Sequence, residues 1–274
     1  MAAAVISVAN QKGGVGKTTT AINLAACLAA TNQRVLLVDC DPQANATSGL
    51  GLEKQPGTSA YSALLGEADL ATFIQKTALD NLHVVPSEMD LCGAEVEVAR
   101  LDQHLQRLRL ALTPIRDSDQ YNVIIIDCPP SLGTLTLNAF VAADYLLVPL
   151  QCEYFSLEGV AMIHRILDQL TSSGANPNLR LLGVLMTMFD ARTRLSHTVL
   201  DEVQQHFGQL VFETVIPRTT RLAEAPSHGQ PIIRYDRYGT AAAAYELLAQ
   251  EVIKRLAQLS TPIPNPPPTS PTPQ

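Results

Sequence analysis

Apolar residues come in short unbroken runs separated by longer stretches with a helical repeat. The runs 4–9, 34–39, 82–86, 122–127, 145–150, 181–187 and 210–216 are rich in Val, Ile and Leu. Most are apolar at consecutive positions, as strands covered on both faces must be. Between them, residues 17–30, 93–112, 133–142, 156–171, 194–207 and 239–259 have the length and spacing of helices. This alternation predicts right-handed βαβ units and an α/β fold: a doubly wound, mainly parallel sheet flanked by helices. Such sheets bind ligands at the carboxyl ends of their strands.

After Ser260 the pattern ends in "TPIPNPPPTSPTPQ", seven prolines in 14 residues. Proline removes a backbone donor and fixes φ, so the expected organisation is one domain over 1–260 and an extended tail over 261–274. Composition changes this picture little. Of 274 residues 46% are hydrophobic, enough for one large core. The start "MAAAVISVAN" has neither a basic residue nor a long apolar run, so no secretory signal is expected. The five cysteines, Cys27, Cys40, Cys92, Cys128 and Cys152, show no metal-ligand spacing and read as buried small apolar residues in a reducing compartment. The net charge of −7 is concentrated: residues 61–160 hold 14 acids and five bases, and the flanking regions are nearly neutral. An acidic total therefore does not exclude a basic patch gathered by folding.

The chemistry starts at "NQKGGVGKTTTAINLA", residues 10–25. A glycine-rich turn leads from a strand into a helix beginning at Lys17, the context of a phosphate-binding loop. Backbone N–H groups of residues 13–18 would face phosphates, aided by the positive helix end. Lys17 would neutralise the β- and γ-phosphates and Thr18 would offer a hydroxyl to Mg²⁺. The usual first glycine is replaced by Gln11, and a second lysine, Lys12, precedes Gly13 and Gly14.

K-G-G-x-G-K-T with its upstream lysine is the deviant Walker A signature. The sequence resembles the ParA/Soj-type partitioning ATPases of that P-loop family from about residue 4 to 257. Further matching segments are "DCDPQANATSGLG" (39–51), "VVPSEMDLCGAEVEV" (84–98), "YNVIIIDCPPSLG" (121–133) and "VIPRTTRLAEAPSHGQPI" (215–232). The resemblance implies an ATPase using ATP and Mg²⁺, with Gly13, Gly14, Val15, Gly16, Lys17, Thr18 and Thr19 around the nucleotide. It implies that Lys12 reaches across an ATP-dependent homodimer to the other subunit's phosphates. A cation supplied in this way stabilises charge on a transferring phosphoryl group as an arginine finger does. Asp127, ending an apolar run, is the Walker B acid expected to hold Mg²⁺ with Thr18. Asp39 is expected near the metal, and Asp41 is expected to orient the attacking water. Residues 127–133 would link nucleotide state to dimer shape. At the adenine, Pro217 carries over, whereas Thr219 stands where the family commonly has Asn.

Family members bind DNA without sequence preference. Here that role would fall to Arg192, Arg194, Arg218 and Arg221, whose planar forks suit phosphate contact. No zinc finger or helix-turn-helix is evident, so base readout is not expected. The resemblance further implies a ParB-like activating partner, a cytoplasmic, nucleoid-associated protein and no stable membrane association. Alternatives in the same fold are a positioning ATPase for another cargo and a division-site ATPase with a membrane-targeting C-terminal helix. The helix 239–259, with Leu248, Val252, Leu256 and Leu259 on one face and few basic residues, instead reads as core-packing. An iron–sulfur electron-transfer ATPase would need bridging cysteines, for which Cys92 and Cys128 are the candidates. A bacterial tyrosine kinase would need a terminal tyrosine cluster, and the tail has no tyrosine.

Overall fold

The computed structural model describes residues 2–153, 165 and 167–260. Seven strands form one sheet: β1 (Ala4–Val8), β2 (Val35–Asp39), β3 (Gln75–Lys76), β4 (Leu82–Val85), β5 (Val123–Asp127), β6 (Tyr145–Gln151) and β7 (Arg180–Thr187). Their order is β3-β4-β2-β5-β1-β6-β7, and every pairing is parallel except the short β3 against β4. Consecutive Val, Ile and Leu residues fill both faces of the central strands, and two large apolar clusters cover them. One face carries the helices Lys17–Ala30 and Thr240–Ser260; the other carries Leu91–Glu97, Arg107–Asp117 and Thr134–Ala142. A third cluster packs the helix Arg194–Phe207 on β7.

Register brings the sheet's chemistry to one edge. Val8 of β1 and Asp39 of β2 both pair with Asp127 of β5, so three strands end level. The Lys17–Ala30 helix begins directly above them. As expected, the C-terminal helix is a core element. Leu248 and Val252 are fully buried, and Leu256 and Leu259 pack against the same cluster. Among the described residues, no helix is long and apolar enough to cross a membrane.

Two predicted elements are corrected. Residues 93–112 form no single helix: Leu91–Glu97 runs into a 3₁₀ turn, residues 101–106 turn with Gln103 at φ 54°, and a new helix starts at Arg107. Asn138, from the helix Thr134–Ala142, makes the break tolerable. Its amide donates to the His104 carbonyl at 2.8 Å and its oxygen accepts from the Leu108 N–H at 3.1 Å. Backbone groups freed by the interruption are thus satisfied in the core.

Residues 210–216 make no strand. They run beside β7 with one isolated bridge, Val184 to Val211, and Phe189 bridges Pro217 just beyond. The C-terminal helix takes several of the other backbone groups. Arg255 donates to the carbonyls of Leu182, Leu210 and Val211, and Glu251 accepts from the N–H groups of Glu213 and Thr214. The predicted helix 156–171 is helical over 167–172; its remainder, with the 261–274 tail, lies largely outside the described residues.

Candidate functional site

The loop after β1 is pinned by strand ends. Asn10 donates its amide to the Pro149 carbonyl of β6 at 2.8 Å and accepts the Lys12 N–H at 3.0 Å. Thr187, the last residue of β7, donates its hydroxyl to the Val15 carbonyl at 2.8 Å. Gly14 and Gly16 have φ values of 75° and 89°, a region in which a side chain is strained. A Cβ added at Gly13 or Gly14 would meet nothing within 4 Å, so the loop's outer surface is accessible to a ligand. No side chain caps the first turn of the helix Lys17–Ala30, and its positive end faces that surface. A preorganised cradle for phosphate results.

Both lysines have internal partners. Lys17 is only 6% exposed, and its ammonium donates to the Lys12 carbonyl at 3.0 Å. Burial pulls its pKa down, against the opposing pull of Asp127, Cys128 and Asp41. Lys12, nearer the surface, forms an ion pair with Glu153 at 2.6 Å.

The three acids occupy different environments. Asp127 is fully buried, and among the described residues neither carboxylate oxygen has a hydrogen-bond partner. Burial raises its pKa well above the carboxylate range, and Asp39 adds to that; the nearby Thr18 hydroxyl and Lys17 only temper it. Two unpartnered oxygens beside Thr18 make a donor set suited to a hard divalent cation, so the residues present fit Mg²⁺. Asp39 is equally buried but well bonded. One oxygen takes the Thr47 N–H and hydroxyl at 2.8 and 2.7 Å, and the other takes the Asp41 N–H at 3.2 Å. Burial still lifts its pKa to about 6. Its oxygens bond the 41–47 turn, and its pairing with Asp127 across β2 and β5 keeps it at the same strand edge. Asp41 accepts the Gln43 N–H at 2.9 Å, and its carbonyl takes the Ser87 hydroxyl at 2.7 Å. The Ser87 N–H closes the circuit on the Thr47 hydroxyl at 2.9 Å. Thr47 and Ser87, absent from the predicted set, thus lock the segment bearing Asp41 between β2 and β4.

Residues 3–181 match the model of the family described as AAA domain. The chain is 50% identical over 252 residues to the chromosome partitioning protein ParA of Myxococcus xanthus, spanning 92% of this chain and 88% of that one. It is 49% identical to the sporulation initiation inhibitor protein Soj of Bacillus subtilis, over 90% and 97% of the two chains. The chain belongs to the ParA/Soj family. Among solved structures, one described as cobyrinic acid a,c-diamide synthase from Mycobacterium smegmatis, with bound ADP and magnesium, superimposes with a TM-score of 0.81. It is 35% identical over 93% of this chain and 96% of that one. The Pyrococcus furiosus cell division ATPase MinD gives a TM-score of 0.75 at 25% identity over 92% and 98%.

The ParA/Soj-type segments past β7 lie side by side. Phe189 accepts the Arg218 N–H at 3.0 Å, bringing residues 189–194 against 216–222. Arg192, Arg194, Arg218 and Arg221 are all exposed. Arg192 grips Asp190 with two donors at 2.9 and 2.7 Å, and this holds the Asp190 pKa down at about 2. Arg221 meets Glu224 at 3.4 Å. Thr219 caps the helix Thr220–Glu224, its hydroxyl accepting the Leu222 N–H. Of the cysteines, Cys92 is exposed, correcting the expectation that all five are buried. Cys128 is fully enclosed in the apolar cluster, so the two do not present a surface pair for a cluster between subunits.

Proposed function

We propose that this ParA/Soj-family chain is a DNA-partitioning ATPase in which ATP binding closes two copies into a sandwich on non-specific DNA. Hydrolysis stimulated by a ParB-like partner then releases the dimer. The observation that carries the reading is the pairing of a cradle bearing two lysines with a buried, unpartnered Asp127 at one strand edge. The M. xanthus relative's name and the magnesium and ADP bound in the M. smegmatis structure support the same reading.

Lys17 exchanges the Lys12 carbonyl for phosphate oxygens, an acceptor that restores the charge balance burial denies it. Thr18 and Asp127 hold Mg²⁺, which when bound supplies positive charge to the β- and γ-phosphates. Asp41, buried and fixed by Gln43 and Ser87, orients the attacking water. Pro217 and Thr219 lie beside the end of β7 and border the base. Lys12 serves the phosphates of the second copy, so dimerisation depends on the triphosphate. Arg192, Arg194, Arg218 and Arg221 contact DNA phosphates, and binding to nucleoid DNA falls with salt.

Gel-shift experiments with ADP, ATP and a non-hydrolysable analogue test this. Wild type shifts DNA only with triphosphate, Lys12→Ala does not, and Arg192→Glu with Arg221→Glu loses the shift while still dimerising. Equal shifts with ADP and ATP would overturn the proposal.

A further inference from the structure

Lys12 belongs to the nucleotide loop, yet its ammonium is held by a residue 141 positions away. Glu153 lies just past the end of β6, where its N–H donates to the Gln151 carbonyl at 2.8 Å. The carboxylate is aimed from both sides: one oxygen takes Lys12 at 2.6 Å, the other takes the Gln151 side-chain amide at 2.7 Å. The Lys12 backbone is fixed independently, its N–H bonded to Asn10 at 3.0 Å. Neither end of the pair is adrift: backbone and neighbouring side chain bring the two charges together.

We infer that Glu153 is a positioning residue that keeps Lys12 within its own protomer until a second, triphosphate-loaded copy competes for it. The inference rests on the proposed dimer, because only there does Lys12 have another destination. A lysine with no partner of its own would meet the terminal phosphate of a second copy without first giving anything up. A lysine paired with Glu153 must give up that partner first, and an acceptor of higher charge in a water-poor interface competes for it best. The terminal phosphate of ATP, presented by the other copy, is such an acceptor.

The strength suits a latch that opens. The Lys12 and Glu153 side chains are 40% and 46% exposed, so solvent screens the pair. Ion pairs of this exposure favour the bonded state by up to about fivefold. Two break per dimer, so removing Glu153 tightens dimerisation by up to about 25-fold.

Sedimentation equilibrium with Mg²⁺ and a non-hydrolysable ATP analogue, on wild type, Glu153→Gln and Lys12→Ala, reads this directly. Glu153→Gln keeps the shape and the Gln151 contact but loses the charge; it lowers the dimer dissociation constant several-fold, and in ADP it stays monomeric. Gln151→Ala, which removes the amide hydrogen bond to the carboxylate, shifts the constant the same way by less, so the test stands if one variant folds poorly. A dissociation constant for Glu153→Gln equal to or weaker than wild type overturns the latch while leaving the dimer intact. If wild type stays monomeric in the analogue, or Lys12→Ala pairs as wild type does, the underlying dimer reading fails and the latch falls with it.

Discussion

Replacing Thr47 by Val tests whether the acids at the strand ends are held as the structure implies. Valine matches threonine in shape and removes one hydroxyl, at a position that is fully buried. That hydroxyl donates to Asp39 at 2.7 Å and accepts the Ser87 N–H at 2.9 Å. Asp39 would retain the Thr47 N–H, but Ser87 would keep a buried donor with no acceptor. A hydrogen bond to a charged group contributes about 1.5–3 kcal/mol, and stranding a buried N–H costs about 1–3 kcal/mol more. A methyl group gained in place of a hydroxyl offsets under about 1 kcal/mol. The net is about 3 kcal/mol. At about 2–4 °C per kcal/mol for a chain of this size, the melting temperature falls by about 6–12 °C.

Thermal unfolding of the nucleotide-free protein measures the first effect, and steady-state ATP hydrolysis measures a second. With the Thr47 hydroxyl gone, the turn bearing Asp41 loses its tie to the Ser87 N–H and one of its bonds to Asp39, so kcat falls more than nucleotide affinity does. Ser87→Ala removes the 2.7 Å bond to the Asp41 carbonyl, and combining it with Thr47→Val costs less than the sum, since the two share one network. A melting temperature within about 2 °C of wild type would refute the reasoning, because the circuit would then be replaceable by water.

Asp127→Asn raises the nucleotide-free melting temperature by about 3–8 °C, because a buried carboxylate without partners is removed, yet it abolishes Mg²⁺-dependent hydrolysis; calorimetry and a phosphate-release assay check the pair. Arg255→Lys keeps charge but loses the fork that spans the carbonyls of Leu182, Leu210 and Val211 over the Phe212 ring; it costs about 2–4 kcal/mol in urea unfolding. Burial depresses the pKa of His83, whose Nδ1 meets the Tyr121 hydroxyl at 2.8 Å. The neutral ring is therefore favoured in the fold, and stability present above the unfolded value of about 6.5 is lost as pH falls through it. Melting curves between about pH 7.5 and 5.5 show a smaller drop for His83→Gln than for wild type.

The central strands and the helices Lys17–Ala30 and Arg194–Phe207 were legible because their signals are local. A run of branched residues between turn signals suits a covered strand regardless of its neighbours. The phosphate loop was legible for the same reason: its glycines and lysines serve backbone geometry within a few residues. The failures share a different cause. The break at 101–106 depends on the Asn138 amide, and the lost strand at 210–216 depends on Arg255 and Glu251. In both, a side chain distant in sequence takes over backbone groups that a regular element would otherwise satisfy. Periodicity carries no trace of such an exchange. Thr47, Ser87 and Glu153 escaped notice similarly, since their partners lie 8 to 141 positions away and each residue alone is ordinary.

The site's electrostatics link these observations to the switch. Lys17 and Asp127 are opposite charges in one buried region, yet each is pushed toward its neutral form by desolvation. A protein selected for stability alone would pair them with a hydrogen bond, or replace both with apolar side chains. Here Lys17 takes a carbonyl of its own loop and Asp127 takes no donor, so both keep their strongest interactions in reserve. Lys12 follows the same logic one layer out, its charge placed on Glu153 where exposure keeps the bond weak. Phosphate and divalent cation are ligands that would relieve both inner charges together, and on the proposed dimer the outer pair would be the last contact to exchange. On the proposed function the order is the consequence: nucleotide capture would depend on buried groups within one chain, whereas pairing would wait on the exposed one.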